Sequence, residues 1–143
     1  MRRLLLLLVL CASGCNDGFS QWLTIVVPPE IESIPRGEHR VAVFGYDPSL
    51  ADASATLLVE LRVPFSHVVG SSTRQTLPLQ ATVPRGYRVY LSVASCERRL
   101  VGSTYMLWDG QSDIGTPREV VMQRVPTQVP CEQLWGPGTS GPP

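Results

Sequence analysis

The chain has no lysine; all twelve of its basic side chains are arginine, matched by twelve Asp and Glu. With net charge zero and no basic run, it lacks the electrostatic footprint of a nucleic-acid binder, so no nucleic acid is expected as a partner. Histidine occurs only twice, at His39 and His67, and a zinc site needs three or four ligands at workable spacing. No metal site is therefore expected. No G-x-S-x-G elbow, Cys-x-x-Cys pair or glycine-rich phosphate cradle occurs, so neither a catalytic residue nor a cofactor is assigned. The segment Asp109-Gly110-Gln111-Ser112-Asp113 lacks the spaced acidic ligands and terminal Glu of a calcium loop and reads as a solvated turn. A long apolar run is also missing. The one candidate, Leu4 to Ala12, spans nine residues, or ~14 Å as a helix, against a bilayer core of ~30 Å.

What that short run does suit is a signal peptide over residues 1–14: Met1-Arg2-Arg3, then an apolar stretch, then small residues at the cleavage site. The junction Ala12-Ser13-Gly14-Cys15 resembles the lipobox of bacterial lipoproteins, with Ala12 in place of the usual Leu. The resemblance covers the first 15 residues and implies that the Cys15 thiol takes a diacylglyceryl group before cleavage. It further implies attachment to a membrane at the cell envelope. One acyl chain anchors reversibly, while two or three, as the family carries, hold the protein permanently. In such lipoproteins an Asp directly after the Cys favours inner-membrane retention; Asn16 stands there instead, with Asp17 next, an imperfect match that leaves outer versus inner membrane open, with the outer membrane the favoured expectation. The alternative is an ordinary secreted protein cut near Gly14. Loss of Arg2 and Arg3 leaves 12 − 2 = 10 basic against 12 acidic side chains, a net charge of −2. Residues 15–21 are expected to be a short tether of at most ~20 Å beyond Cys15.

The body reads as strands, because period-two apolar runs recur between Pro, Gly and Asp and no 3.6-residue stripe is visible. Leu77, Leu79, Ala81 and Val83 alternate with polar residues or Pro78; Tyr87, Val89, Leu91 and Val93 do the same after Pro84-Arg85-Gly86. A three-residue turn there predicts a hairpin pairing Val83 with Tyr87 and Leu79 with Leu91. Pro78, lacking an N–H, points to a sheet edge or a local break. A weaker copy of the same pattern at Ile34-Pro35-Arg36-Gly37 predicts a second turn with Glu32 opposite Arg40. Further strands are expected at Trp22–Val27, Thr56–Val63, Leu100–Trp108 and Glu119–Val125, and loops at Asp47–Ala55, Pro64–Thr73 and Asp109–Pro117. About seven short, mostly antiparallel strands over residues 22–126 imply an all-β, two-sheet β-sandwich. The layout resembles the immunoglobulin-like or transthyretin-like domains of bacterial surface lipoproteins. Residues 127–143, rich in Pro and Gly, are expected to be an irregular tail.

With Cys11 removed and Cys15 lipidated, Cys96 and Cys131 remain as an even pair in an oxidising compartment, and a disulfide is expected. Closing that loop of about 35 residues stabilises by roughly 3–4 kcal/mol in the chain-entropy model. His39, opening a strand beside charged residues, is expected to face solvent, and His67 to lie in a loop. Trp22, Tyr90, Tyr105, Trp108 and Trp135 could offer a stacking platform, with Tyr90 outward. The reading is a non-catalytic envelope lipoprotein that works by protein contact. A carbohydrate-binding module is the alternative, and a hydrolase comes last.

Overall fold

A computed structural model describes residues 16–49, 55–102, 105–108 and 118–125. The described chain is all-β, with eight strands and one short 3-10 turn. The strands are β1 (Asn16–Val27), β2 (Ile34–Tyr46), β3 (Thr56–His67), β4 (Thr73–Pro84) and β5 (Arg88–Ser95). After the 3-10 turn (Glu97–Arg99) come β6 (Leu100–Gly102), β7 (Tyr105–Trp108) and β8 (Arg118–Arg124). The expectation of mostly antiparallel strands is met, with one parallel pair, β1 with β8.

The two sheets of a sandwich are joined here into one path, β3-β2-β5-β6-β8-β1-β4, with β7 also on β5. β8 is the link: its C-terminal half pairs with β6 and its N-terminal half with β1. The path curls into a nearly closed barrel whose two end strands are β3 and β4. Four of the strands run 12 or 13 residues, longer than the short strands expected.

Period-two alternation places one row of each strand inside. Leu23, Ile25 and Val27 of β1, Val41 and Val43 of β2, and Val89, Leu91 and Val93 of β5 are buried in a single cluster with Leu100, Val120 and Met122. Each such side chain contributes roughly 1.5–3 kcal/mol by leaving water. Burial of one face of each strand, with the other turned outward, explains why alternation is the dominant signal in the sequence.

The predicted hairpin does not form. The turn itself is present: the Tyr87 amide donates to the Pro84 carbonyl at 3.2 Å, and Gly86 takes φ +83°, a region open to glycine at no steric cost. The flanking strands then part. β4 pairs with β1, setting Leu79 opposite Gln21 and Val83 opposite Asp17; β5 pairs with β2, setting Leu91 opposite Val43. The apolar rows were assigned to the correct face, since Leu77, Leu79, Val83, Val89, Leu91 and Val93 are all buried. Two such rows can meet side by side or enter one core from different ladders, and their pattern is the same in both cases.

The second expected turn is a strand. β2 runs from Ile34 through Pro35-Arg36-Gly37, with a register shift against β3 between Ile34 and Gly37. Gly37 serves close approach here: a Cβ would lie 2.6 Å from the Phe65 ring. Arg40 pairs with Glu60 at 2.8 Å, while Glu32 pairs with Arg98 at 2.9 Å. The expected loop at Pro64–Thr73 is also corrected, because β3 continues through Pro64 to His67. Finally, Asn16 to Gln21 belong to β1, so the stretch expected as a tether is strand.

Candidate functional site

The opening in the barrel is the most distinctive feature of the described structure. β3 and β4 are joined by a tight turn and run antiparallel to each other, each with one partner among the described residues, β2 and β1. At the turn end they are locked. His67 Nε2 lies 3.0 Å from the Ile31 carbonyl and Nδ1 2.8 Å from Thr73 Oγ1. A carbonyl can only accept, so Nε2 carries a proton, and Nδ1 and the Thr73 hydroxyl share the second bond. The Gly70 amide donates to the Pro29 carbonyl at 2.7 Å and the Val69 amide to Ser33 Oγ at 3.0 Å. One step further along, Gln75 Nε2 donates to the Pro64 carbonyl at 3.0 Å, closing the seam with a side chain.

Beyond Gln75 the strands diverge. A groove of about 600 Å³ opens between Leu58 and Val59 of β3 and Gln80, Ala81 and Thr82 of β4, reaching Gly18 and Ser20 of β1. Leu58, Val59 and Ala81 pack on the core from its edge, so the groove has an apolar floor and a polar rim. On the outer face of β3, Arg40 hydrogen-bonds the Glu60 carboxylate and holds it below the usual carboxylate range. Arg62 bridges Glu38 at 3.3 Å and Glu60 at 3.5 Å.

The structure relocates both histidines. His39 is 1 % exposed rather than solvent-facing; its Nδ1 is 2.7 Å from Ser95 Oγ and its ring stacks on Phe65 at 3.8 Å. Burial lowers its pKa to about 4. His67 ends β3 in place of the expected loop and is also buried. The signal for both was their parity: His39 lies in the inward row of Val41 and Val43, and His67 in that of Val63 and Phe65. Both rings are occupied by structural bonds and lie apart from the groove. Among the described residues no group of three His, Cys, Asp or Glu side chains could hold a metal ion.

The aromatics are divided. Trp22 is 57 % exposed on β1, opposite Pro78. Tyr90 is half-buried on β5 and stacks with Tyr46 at a centroid distance of 5.5 Å. Arg88 Nη1 donates to the Tyr46 hydroxyl at 3.4 Å; burial raises the Tyr90 pKa, and the Tyr90 hydrogen bond lowers that of Tyr46. Tyr105 and Trp108 bound β7. No shared platform of Trp22 and Tyr90 results, because they stand on strands at separate places in the sheet path. Trp135, the Asp109–Asp113 segment, Cys131 and Cys15 lie outside the described residues. Cys96 is exposed at the junction of β5 and the 3-10 turn, where Arg98 and Arg99 take φ of 59° and 50°.

Sequence reasoning missed the groove, although it carried one marker of it. Pro78 points to a sheet edge or a local break, and β4 is an end strand of the sheet path. Pro64, in β3 at the other end of that path, is a second such marker. No family model matches the chain, and no curated protein does. Among solved structures, the chain is similar to an alternative pilotin from the type II secretion system of Vibrio cholerae. It is 17 % identical, with a TM-score of 0.42 over 76 % of this chain and 100 % of that one. At that identity and score, the likeness carries neither fold nor activity across.

Proposed function

We propose that this protein is a non-catalytic interaction module of the bacterial cell envelope, anchored by lipid on Cys15, that binds another protein at the seam between β3 and β4. The observation that carries the reading is the seam itself: two strand edges, each without a second partner among the described residues, bordering a groove. Exposed edges are normally blunted or covered, because they recruit other chains. The sugar-binding alternative would want a planar row of exposed aromatics, and Trp22 stands apart from the stacked Tyr46–Tyr90 pair. A free edge favours protein.

The anchor and the groove are close together. β1 starts at Asn16, directly after Cys15, so lipid and barrel are joined with no spacer. Twelve residues at ~3.3 Å put Val27 about 40 Å from the start of β1. The groove, beside Gly18 and Ser20, lies at the membrane end. Partners would therefore be met at the bilayer surface, with the outer membrane favoured over the inner. The disulfide of Cys96 with Cys131 belongs to the same proposal, tying the segment after β8 to the turn after β5.

Site-specific photocrosslinking of the full-length chain in intact envelopes tests the binding half of this reading. A photoreactive residue at Thr82 should give a discrete adduct, one at exposed Gln123 on β8 should not, and Cys15→Ala should abolish it. No adduct at Thr82, or equal adducts at both positions, would contradict it.

A further inference from the structure

The two edges of the seam are not alike along their length. Proline has no N–H, so a ladder keeps it where its nitrogen points away from the paired strand. Pro64 pairs with Glu38 across β3–β2 and Pro78 with Trp22 across β4–β1, so both nitrogens point into the seam. The Pro64 carbonyl bears this out, since it accepts from Gln75 of β4. In antiparallel ladders, residues alternate between bonding the paired strand and pointing away from it. Counting by twos from the two prolines, Arg62 and Glu60 of β3 and Gln80 and Thr82 of β4 also present their N–H and C=O to the seam. The half near the turn is thus blunted by Pro64, Pro78 and Gln75. The other half keeps intact donors and acceptors: Gln80 and Thr82 of β4 line a groove of about 600 Å³ whose β3 wall is Leu58 and Val59, next in sequence to Glu60.

We propose that this unblunted half binds an extended peptide segment of a partner protein as an added β-strand, hydrogen-bonded to Gln80 and Thr82 of β4 and to Glu60 of β3. The chemistry selects this occupant. Backbone groups at strand spacing on both walls require a ligand with N–H and C=O at the same repeat, which an acyl chain cannot supply. The lining comes in two rows, apolar Leu58, Val59 and Ala81 toward the core and polar Ser20, Gln80 and Thr82 outside. A strand with small apolar side chains alternating with polar ones matches both rows. The added strand would complete the barrel and bury the edge of the core. This inference rests on the interaction reading above and specifies its mode.

The test uses the full-length protein in detergent and the acetylated, amidated peptide Thr-Val-Thr-Val-Thr-Val-Thr at about 1 mM, read by amide hydrogen exchange and by binding affinity. Exchange at Gln80 and Thr82 should slow about tenfold, while the amides of the β1–β4 ladder stay unchanged. A peptide N-methylated at alternate residues should bind about tenfold more weakly, a control that needs no protein variant. Gln80→Pro removes one seam-facing donor as Pro78 already does, and should weaken the peptide about tenfold with the near-ultraviolet circular dichroism unchanged; Trp22→Ala on the outer face should not weaken it. The proposal is overturned if Gln80 and Thr82 gain no protection, if the N-methylated peptide binds equally, or if decanoate protects the same amides. It is likewise overturned if protection rises with protein concentration alone, which would mean that a second copy fills the seam. A lipidated Cys15 together with a Thr82 adduct would leave the wider reading standing when the strand mode fails.

Discussion

Acidification should loosen this fold through one residue, His39. The ring is 1 % exposed, lies flat against Phe65 and meets Ser95 at Nδ1, with no carboxylate among the contacts that define its site. Desolvation lowers its pKa from 6.5 to about 4. In the unfolded chain the imidazole takes a proton near pH 6.5, whereas in the fold it resists until about pH 4. The unfolded state therefore binds more protons through that window, and stability falls as pH falls. The contribution is fully present above about pH 7 and gone below about pH 4. A gap of about 2.5 units at 1.36 kcal/mol each amounts to about 3 kcal/mol, a large fraction of the 5–15 kcal/mol typical of a domain. Urea unfolding of wild type and His39→Gln between pH 7.5 and 3.5 reads this directly. Wild type should lose about 3 kcal/mol more than the variant, with nearly all of the difference between pH 6.5 and 4. Equal losses, or a difference that grows as pH rises, would refute the assignment of His39 as a buried neutral base.

Other outcomes follow from the same geometry. Leu79→Ala and Leu91→Ala should each cost roughly 2–5 kcal/mol in denaturant unfolding, as buried large-to-small changes do, and Arg88→Ala well under 1 kcal/mol. Gly37→Ala should destabilise by about 1–3 kcal/mol, because its Cβ would meet the Phe65 ring at 2.6 Å in a packed interior. Non-reducing peptide mapping of protein from an oxidising compartment should recover Cys96 linked to Cys131; free alkylation of both thiols would exclude the pairing.

The two leucines also show how far the sequence reaches. Leu79 and Leu91 are core residues whether β4 and β5 form a hairpin or, as observed, join different ladders, so alternation and turn chemistry settled the face and left the neighbour open. Neighbour choice is long-range: β1 pairs with β4 about sixty residues away and with β8 about a hundred away, and no local pattern encodes those meetings. The Pro-Arg-Gly tripeptide makes the same point. At Pro84–Gly86 it turns, with Gly86 at positive φ; at Pro35–Gly37 it lies in a strand, because glycine is needed there to admit Phe65. The buried histidines were legible in principle from the parity of their strands, and charged neighbours in sequence obscured it. The seam was legible only as two misplaced prolines, whose meaning depends on which strands end the sheet.

A lipid on Cys15 and a barrel beginning at Asn16 are proposed to form one anchored binding module. Its most direct test is the mass of the N-terminal peptide from the membrane fraction of a diderm host expressing the full-length chain. The peptide should begin at Cys15 and carry diacylglyceryl and acyl mass, absent from Cys15→Ala, which should become soluble. An unmodified N-terminus in the soluble fraction of the wild type would contradict it.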